Sequence, residues 1–298
     1  MTPVEFYVKT YPQLTLTVRE GMSNDPAYLS VMRKGAIPEG CSFPFQEAGQ
    51  EKRIEVDTPA GKAEVLYLPD RENFEYFVRV LAHRCEPVEV PTSMGAIMIS
   101  GINNWRKIEA HKLEYTLAGG TNWAEEFRRF TKEPENYKDI VLLVGKGPYS
   151  ALSAEDAGYE PEEWLELSGT IRTYHELSHF VSRRLFPENK EKLRDEVVAD
   201  SIGMIAAFGR YDRQLAKKVL GIEGTVYRKG GRLENYTDKE PCETVMENAL
   251  RQIDRLDAFY QSCEGKGPFE CLMMVEEAGI AVNEYVQKGT ESEGSVLL

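Results

Sequence analysis

From Pro161 onward the sequence reads as one helix after another, which confines any β-sheet to the residues before it. Pro161 stands where a helix favours proline, at its first position, and the helix runs through Phe186 to a stop at Pro187. Apolar residues then recur at helical spacing in four further segments. They predict helices over about 188–208, 213–220, 243–263 and 269–286, with no convincing strand among them.

The first half of the sequence carries short β-branched or alternating runs between Gly, Pro and Asn/Asp turns. Two helical patterns interrupt them, one from Arg71 to Cys85 and one from Thr121 to just before Pro134. Residues 88–120 fit either a strand or a helix, and the choice stays open there. The runs themselves predict strands at Val4 to Val8, Leu14 to Val18, Arg53 to Val56, Ala63 to Leu68 and Ile140 to Val144.

The order of these elements predicts an α+β fold. We expect a strand-rich N-terminal region over residues 1–90 and a second domain over residues 91–298. The sheet part of that second domain should reach about residue 160, and its helical part should cover residues 161–298.

The charge and apolar patterns narrow the classes of protein. The chain has 36 Lys and Arg against 49 Asp and Glu, and the resulting charge of −13 repels phosphate backbones, so we expect no nucleic-acid partner. No run approaches the ~18 apolar residues of a membrane helix. The first residues have neither the basic nor the apolar region of an export signal, so we expect no export. We therefore expect a cytoplasmic protein without membrane insertion. The five cysteines contain no C-x-x-C pair, which argues against a disulfide framework or a cysteine zinc site, and the oligomeric state stays open.

One segment carries the residue types of a metal site. His175, Glu176 and His179 form an H-E-x-x-H pattern inside the long predicted helix. Positions i and i+4 project from one helix face, so both imidazoles can bind the same ion while the glutamate leans to its side. A hydrolytic zinc site needs this geometry.

A third ligand is needed, because a catalytic zinc ion takes three protein ligands and keeps one position open. Glu196 lies in the next predicted helix, after the Pro187 break that lets the chain turn back. Asp200 falls one turn further along the same helix face, where it can accept the spare N–H of a ligand histidine.

The segment from His175 to His179 followed by Glu196-Val-Val-Ala-Asp200 resembles the gluzincin group of zinc metallopeptidases. That resemblance implies one Zn²⁺ per chain, held by His175, His179 and Glu196, with Glu176 as the general base. It implies that Asp200 supports a ligand histidine from behind. It further implies a zincin-like fold and hydrolysis of peptide bonds in a peptide or protein substrate. Membrane-spanning members have hydrophobic helices around the motif, and this chain has none.

Two features of gluzincins have no obvious counterpart in this sequence. Thermolysin-like members stabilise the oxyanion with a downstream histidine, but no histidine follows His179; Tyr211, Tyr227 and Tyr236 are the candidates to replace it. Members of the group also pair substrate with a strand edge upstream of the active helix. The predicted strand Ile140 to Val144 is in the corresponding place, and a core strand without substrate contact is the alternative interpretation.

Two further functions share these residues. One is a catalytically inactive binding or regulatory protein that keeps the zincin scaffold. The other is a zinc hydrolase that acts on a non-peptide amide.

Overall fold

The computed structural model describes residues 1–37, 49–189, 191–237 and 243–279. The chain is α+β and divides into two compact units: Met1–Asp57 with Lys62–Lys146, and Thr58–Gly61 with the chain from Gly147 onward. The predicted boundary at residue 90 falls inside the first unit. Cys41 and Cys242 lie outside the described residues, as does the end of the helix predicted over 269–286; Cys85, Cys263 and Cys271 are buried free thiols.

The first unit contains a four-stranded mixed sheet, whose strands are β1 Lys52–Thr58, β2 Gly61–Leu68, β3 Ala96–Asn103 and β4 Lys138–Gly145. Their order in the sheet is β1-β2-β4-β3. β4 pairs in parallel with β2 along one edge and antiparallel with β3 along the other. Its residues Val141 to Val144 are fully buried, as expected of an internal strand.

This pairing corrects the expectation that Ile140 to Val144 offers a free edge to substrate. Both edges of β4 are already hydrogen-bonded to neighbouring strands, so no backbone group of Val141 to Val144 is left to pair with a peptide. Of the two interpretations, the core strand is the one that the structure shows.

The strands predicted at Val4 to Val8 and Leu14 to Val18 are wrong. Val4, Tyr7 and Val8 are buried at i, i+3 and i+4 spacing on a helix that begins with Pro3 and a capping box between Thr2 and Glu5. A short 3₁₀ turn, Pro12–Thr15, covers the start of the second segment. Helical period and caps therefore outweighed the β-branched composition. The helices of this unit are α1 Pro3–Thr10, α2 Pro26–Lys34, α3 Arg71–Leu81, α4 Trp105–Leu117 and α5 Trp123–Phe130.

The second unit is mainly helical, as predicted. A two-stranded ribbon, β5 Ile222–Glu223 with β6 Val226–Tyr227, was missed because two residues a strand carry no periodicity. The predicted 213–220 helix is confirmed with the same bounds. The helices are α6 Ala154–Ala157, α7 Pro161–Leu185, α8 Lys192–Phe208, α9 Arg213–Leu220, α10 Glu243–Tyr260 and α11 Pro268–Glu277.

α7 and α8 approach each other closely because α8 carries a glycine at their contact. A Cβ atom on Gly203 would stand 2.6 Å from the carbonyl oxygen of Ile171 and 2.9 Å from its Cγ2. Ile171 and Ile202 are fully buried beside this contact. The close approach brings the face of α7 that carries the H-E-x-x-H histidines toward α8.

A buried ion pair also connects α8 to α11. Arg194 Nη2 lies 2.6 Å from Glu276 Oε2 of α11, and both side chains are about 1% exposed. Ser182 and Asn189 also donate hydrogen bonds to the carboxylate of Glu276. A buried charge pair persists only with such additional hydrogen bonds, and this one holds α8 two residues before Glu196.

None of the helices in the described part of the chain combines the length with the apolar composition that a membrane span requires.

The first prediction follows from the close approach of α7 and α8. Gly203→Ala should lower the free energy of unfolding by about 1–3 kcal/mol, because the new methyl group meets rigid backbone. The matched control is Gly169→Ala on α7, where a Cβ meets nothing within 4 Å; it should raise stability by about 0.5–1 kcal/mol through helix propensity. Urea unfolding of both variants measures the difference. Equal stability of the two would contradict the packing account.

Candidate metal centre

Three side chains from α7 and α8 converge on one point. His175 and His179 lie one turn apart on α7, and Glu196 faces them from α8, with ligand atoms all within 4.8 Å of one another. The Nε2 atoms of the two histidines are 3.1 Å apart. Glu196 Oε2 is 3.4 Å from His175 Nε2, and Glu196 Oε1 is 3.5 Å from His179 Nε2. Both histidines are buried, so the three groups enclose a small polar site.

Asp200 holds the far side of the His175 ring. Its Oδ1 lies 2.8 Å from His175 Nδ1, and the carboxylate is buried. An ionised carboxylate only accepts hydrogen bonds, so Nδ1 carries the proton of this contact. His175 Nε2 then presents its lone pair toward His179 and Glu196 whenever the ring is neutral.

A short 3₁₀ helix, Arg232–Tyr236, places two donors on Glu196. Arg232 Nη2 and the Tyr236 hydroxyl each lie 3.0 Å from Glu196 Oε2. Arg232 Nη1 reaches Asp200 as well, at 2.8 Å from Oδ1. One largely buried guanidinium therefore neutralises two carboxylates. Because Oε2 is engaged in this way, Oε1 is the freer oxygen of Glu196.

Tyr149 joins the network from the loop before α6. Its hydroxyl hydrogen-bonds Asp200 Oδ1 and lies 3.0 Å from His175 Nδ1 and 2.9 Å from Arg232 Nη1. The next two residues, Ser150 and Ala151, have φ angles of 52° and 55°, in the left-handed region. That conformation costs a non-glycine residue roughly 1–2 kcal/mol, and such strain tends to collect at functional sites.

The three tyrosines proposed from the sequence have different fates. Tyr236 contacts the site through Glu196. Tyr227 instead donates its hydroxyl hydrogen to the carbonyl of Gly231 at 2.8 Å. The ring of Tyr211 packs against Tyr260, with centroids 5.4 Å apart, and makes no described hydrogen bond to the three converging groups. Of the three, only Tyr236 meets the cluster within the part of the chain that the structure describes.

Sequence reasoning missed Tyr149 and Arg232. Neither lies in the H-E-x-x-H segment or in the segment that carries Glu196, and each reaches the site through a loop or a short 3₁₀ turn. Such segments have no periodicity to predict their direction. A weak signal was the Gly147-Pro148 break just before Tyr149, which marks a loop between β4 and the helices that follow.

Glu176 follows His175 on α7 and is half-buried. Its carboxylate makes no hydrogen bond or ion pair with the residues that the structure describes. An uncommitted carboxylate next to the ligand face is what a general base needs, because it must be able to accept a proton from water.

The charges of the site shift its pKa values strongly. Burial lowers the pKa of His175, but its hydrogen bonds to Asp200 and Glu196 outweigh burial and raise it to about 9. Burial raises the pKa of Glu196, yet the two histidines hold it far below its usual range. Burial likewise raises the pKa of Asp200, and Arg232 and His175 more than offset this. Without an ion, the site thus keeps both carboxylates ionised and His175 protonated at neutral pH.

The second prediction follows from the proton on His175. A metal binds the lone pair of Nε2 only after the proton has left, so zinc and the proton compete. Because the pKa of His175 is about 9, zinc affinity should rise about tenfold per pH unit from pH 7 toward pH 9. Titration against a chelator of known pH dependence measures it. An affinity that stays constant over this range would contradict a proton on His175 that zinc must displace.

The profile of a family of unknown function, DUF7005, matches residues 2–262. No curated protein and no solved structure matches the chain. The match spans most of the first unit and all of the side chains gathered around His175, His179 and Glu196. The chain belongs to this family, DUF7005.

Proposed function

We propose that this protein is a zinc-dependent metallopeptidase of gluzincin type, with a zincin-like arrangement of its active helix. The observation that carries the proposal is the convergence of His175, His179 and Glu196, with ligand atoms within 4.8 Å of one another. On this proposal the substrate is a peptide or protein, and the enzyme acts in the cytoplasm.

The chemistry of the donor set supports zinc. Two imidazoles and one carboxylate are a known catalytic zinc set, which leaves a fourth position for water or substrate. Asp200 supports the His175 ring through Nδ1, as a carboxylate behind a metal-binding histidine does. A magnesium or calcium site would instead be built from oxygen ligands.

Zinc, when bound, supplies a lowered pKa for water and polarises the substrate carbonyl. Glu176 then takes the proton from the attacking water, because its carboxylate has no other partner among the described residues. It passes that proton to the leaving amine, so one residue serves first as base and then as acid.

Tyr236 is the candidate to stabilise the oxyanion. Its hydroxyl lies 3.0 Å from Glu196 Oε2 and is therefore next to the proposed metal position. A neutral hydroxyl donor suits this role, because it can move its hydrogen bond from the glutamate to the developing oxyanion. Tyr227 and Tyr211 make other contacts and are not proposed.

The third prediction separates the general base from the ligands. Glu176→Gln should retain one zinc per chain and lower peptide hydrolysis by at least about 10²-fold, because the amide cannot accept the proton. Glu166→Gln on the same helix is the matched control, since Glu166 is exposed; it should leave both quantities unchanged. Hydrolysis is followed on a mixture of quenched fluorescent peptides, and zinc by elemental analysis.

The outcomes also separate the alternatives. An unchanged hydrolysis rate in Glu176→Gln would remove the general-base assignment. A protein that holds zinc but cleaves no peptide would favour either the inactive binding protein or a hydrolase of non-peptide amides. Assaying a panel of simple amides and deacetylation substrates with the same preparation distinguishes these two.

A further inference from the structure

Tyr149 occupies the centre of the buried network, yet it is neither a proposed ligand nor a proposed base. It is 5% exposed, so its hydroxyl cannot meet a substrate in this arrangement. That hydroxyl contacts Asp200, His175 and Arg232 at once. A role for Tyr149 must therefore act through these three groups.

The hydrogens of this contact can be assigned one by one. The ionised Asp200 accepts, so the Tyr149 hydroxyl donates its single hydrogen to Oδ1. The hydroxyl oxygen then accepts from Arg232 Nη1 and stands 3.0 Å from the Nδ1–H of His175. Both acceptors near Nδ1 favour a proton on that nitrogen. The arrangement leaves Nε2 as the nitrogen that binds an ion.

The helix that carries the histidines also holds the loop that carries Tyr149. Ser168 Oγ accepts the backbone N–H of Tyr149 at 2.9 Å. Arg172 donates to the carbonyls of Gly147 and Pro148, at 2.5 and 2.6 Å. Trp164 Nε1 donates to the carbonyl of Leu152 at 2.8 Å.

These anchors explain why the strained backbone after Tyr149 persists. Two consecutive non-glycine residues in the left-handed region are kept only where the surroundings over-determine the loop. Here three side chains of α7 grip the loop on both sides of the strained pair. Because these three side chains and His175 lie on the same helix, α7, the position of the loop is fixed relative to His175.

We propose that Tyr149 is a positioning residue for the metal centre: it fixes His175 and Asp200 in the arrangement that binds the ion. The inference rests on the proposed function only in its metal site, and it requires no peptide hydrolysis. Tyr149 acts by holding the Nδ1–H of His175 against the Asp200 carboxylate. The His175 ring therefore needs less reorientation when the ion binds.

The fourth prediction tests this role with zinc itself. Tyr149→Phe should weaken zinc binding about tenfold, the lower end of the range for groups that orient metal ligands. Tyr159→Phe is the matched control, because the Tyr159 ring stacks on Trp164 of α7 and its hydroxyl has no described hydrogen bond. The control should bind zinc within about twofold of the unchanged chain. Chelator competition at fixed pH measures all three affinities.

A double-mutant cycle with Asp200→Asn separates positioning from a merely structural role. If Tyr149 acts through Asp200 and His175, Tyr149→Phe should cost much less zinc affinity in the Asp200→Asn background than in the unchanged chain. A structural role predicts that the melting temperature of the metal-free protein falls while zinc affinity stays the same in both backgrounds.

Each outcome decides the inference. Zinc affinity unchanged in Tyr149→Phe, or losses that simply add in the cycle, would overturn it. A chain that binds no zinc at all would overturn it together with the metal site. A chain that binds zinc without cleaving peptides would remove the proposed metallopeptidase while leaving the positioning of His175 supported by the affinities.

Discussion

The close approach of α7 to α8 is the constraint on which the site depends. Gly203 lets the two helices meet where the Ile171 carbonyl would otherwise clash with a side chain. At that separation, His175 and His179 on one helix face Glu196 and Asp200 on the other. The packing of the two helices therefore brings these four side chains together, and Arg232 and Tyr149 add contacts from outside the two helices.

The second governing factor is charge balance in a buried place. Two ionised carboxylates without partners would cost several kcal/mol each in such surroundings. Arg232 bridges both of them, and a proton on His175 supplies further positive charge while no ion is bound. In the metal centre that we propose, a dication would replace that proton and would not meet an uncompensated pair of charges. Arg232 and protonated His175 therefore compensate the two carboxylates while no ion is bound.

Much of this arrangement follows from sequence, because helical spacing is local. The i, i+4 pairing of His175 with His179 and the placement of Glu196 on the following helix could be predicted from periodicity and one proline break. Tyr149 and Arg232 could not, since loop and 3₁₀ segments carry no period that gives a side chain its direction. The N-terminal segment around Val4 misled for the opposite reason: its composition favours a strand, while the caps and spacing specify a helix.

Elemental analysis for zinc in the purified, chelator-free protein tests the proposed metal centre most directly. It is run beside His175→Ala, Glu196→Ala and the exposed control Glu188→Ala. We expect about one zinc per chain in the unchanged protein and in the control, and loss of zinc in the two ligand variants. Zinc retained at full stoichiometry in His175→Ala or Glu196→Ala, or no zinc in the unchanged chain after reconstitution, would contradict the proposed metal centre.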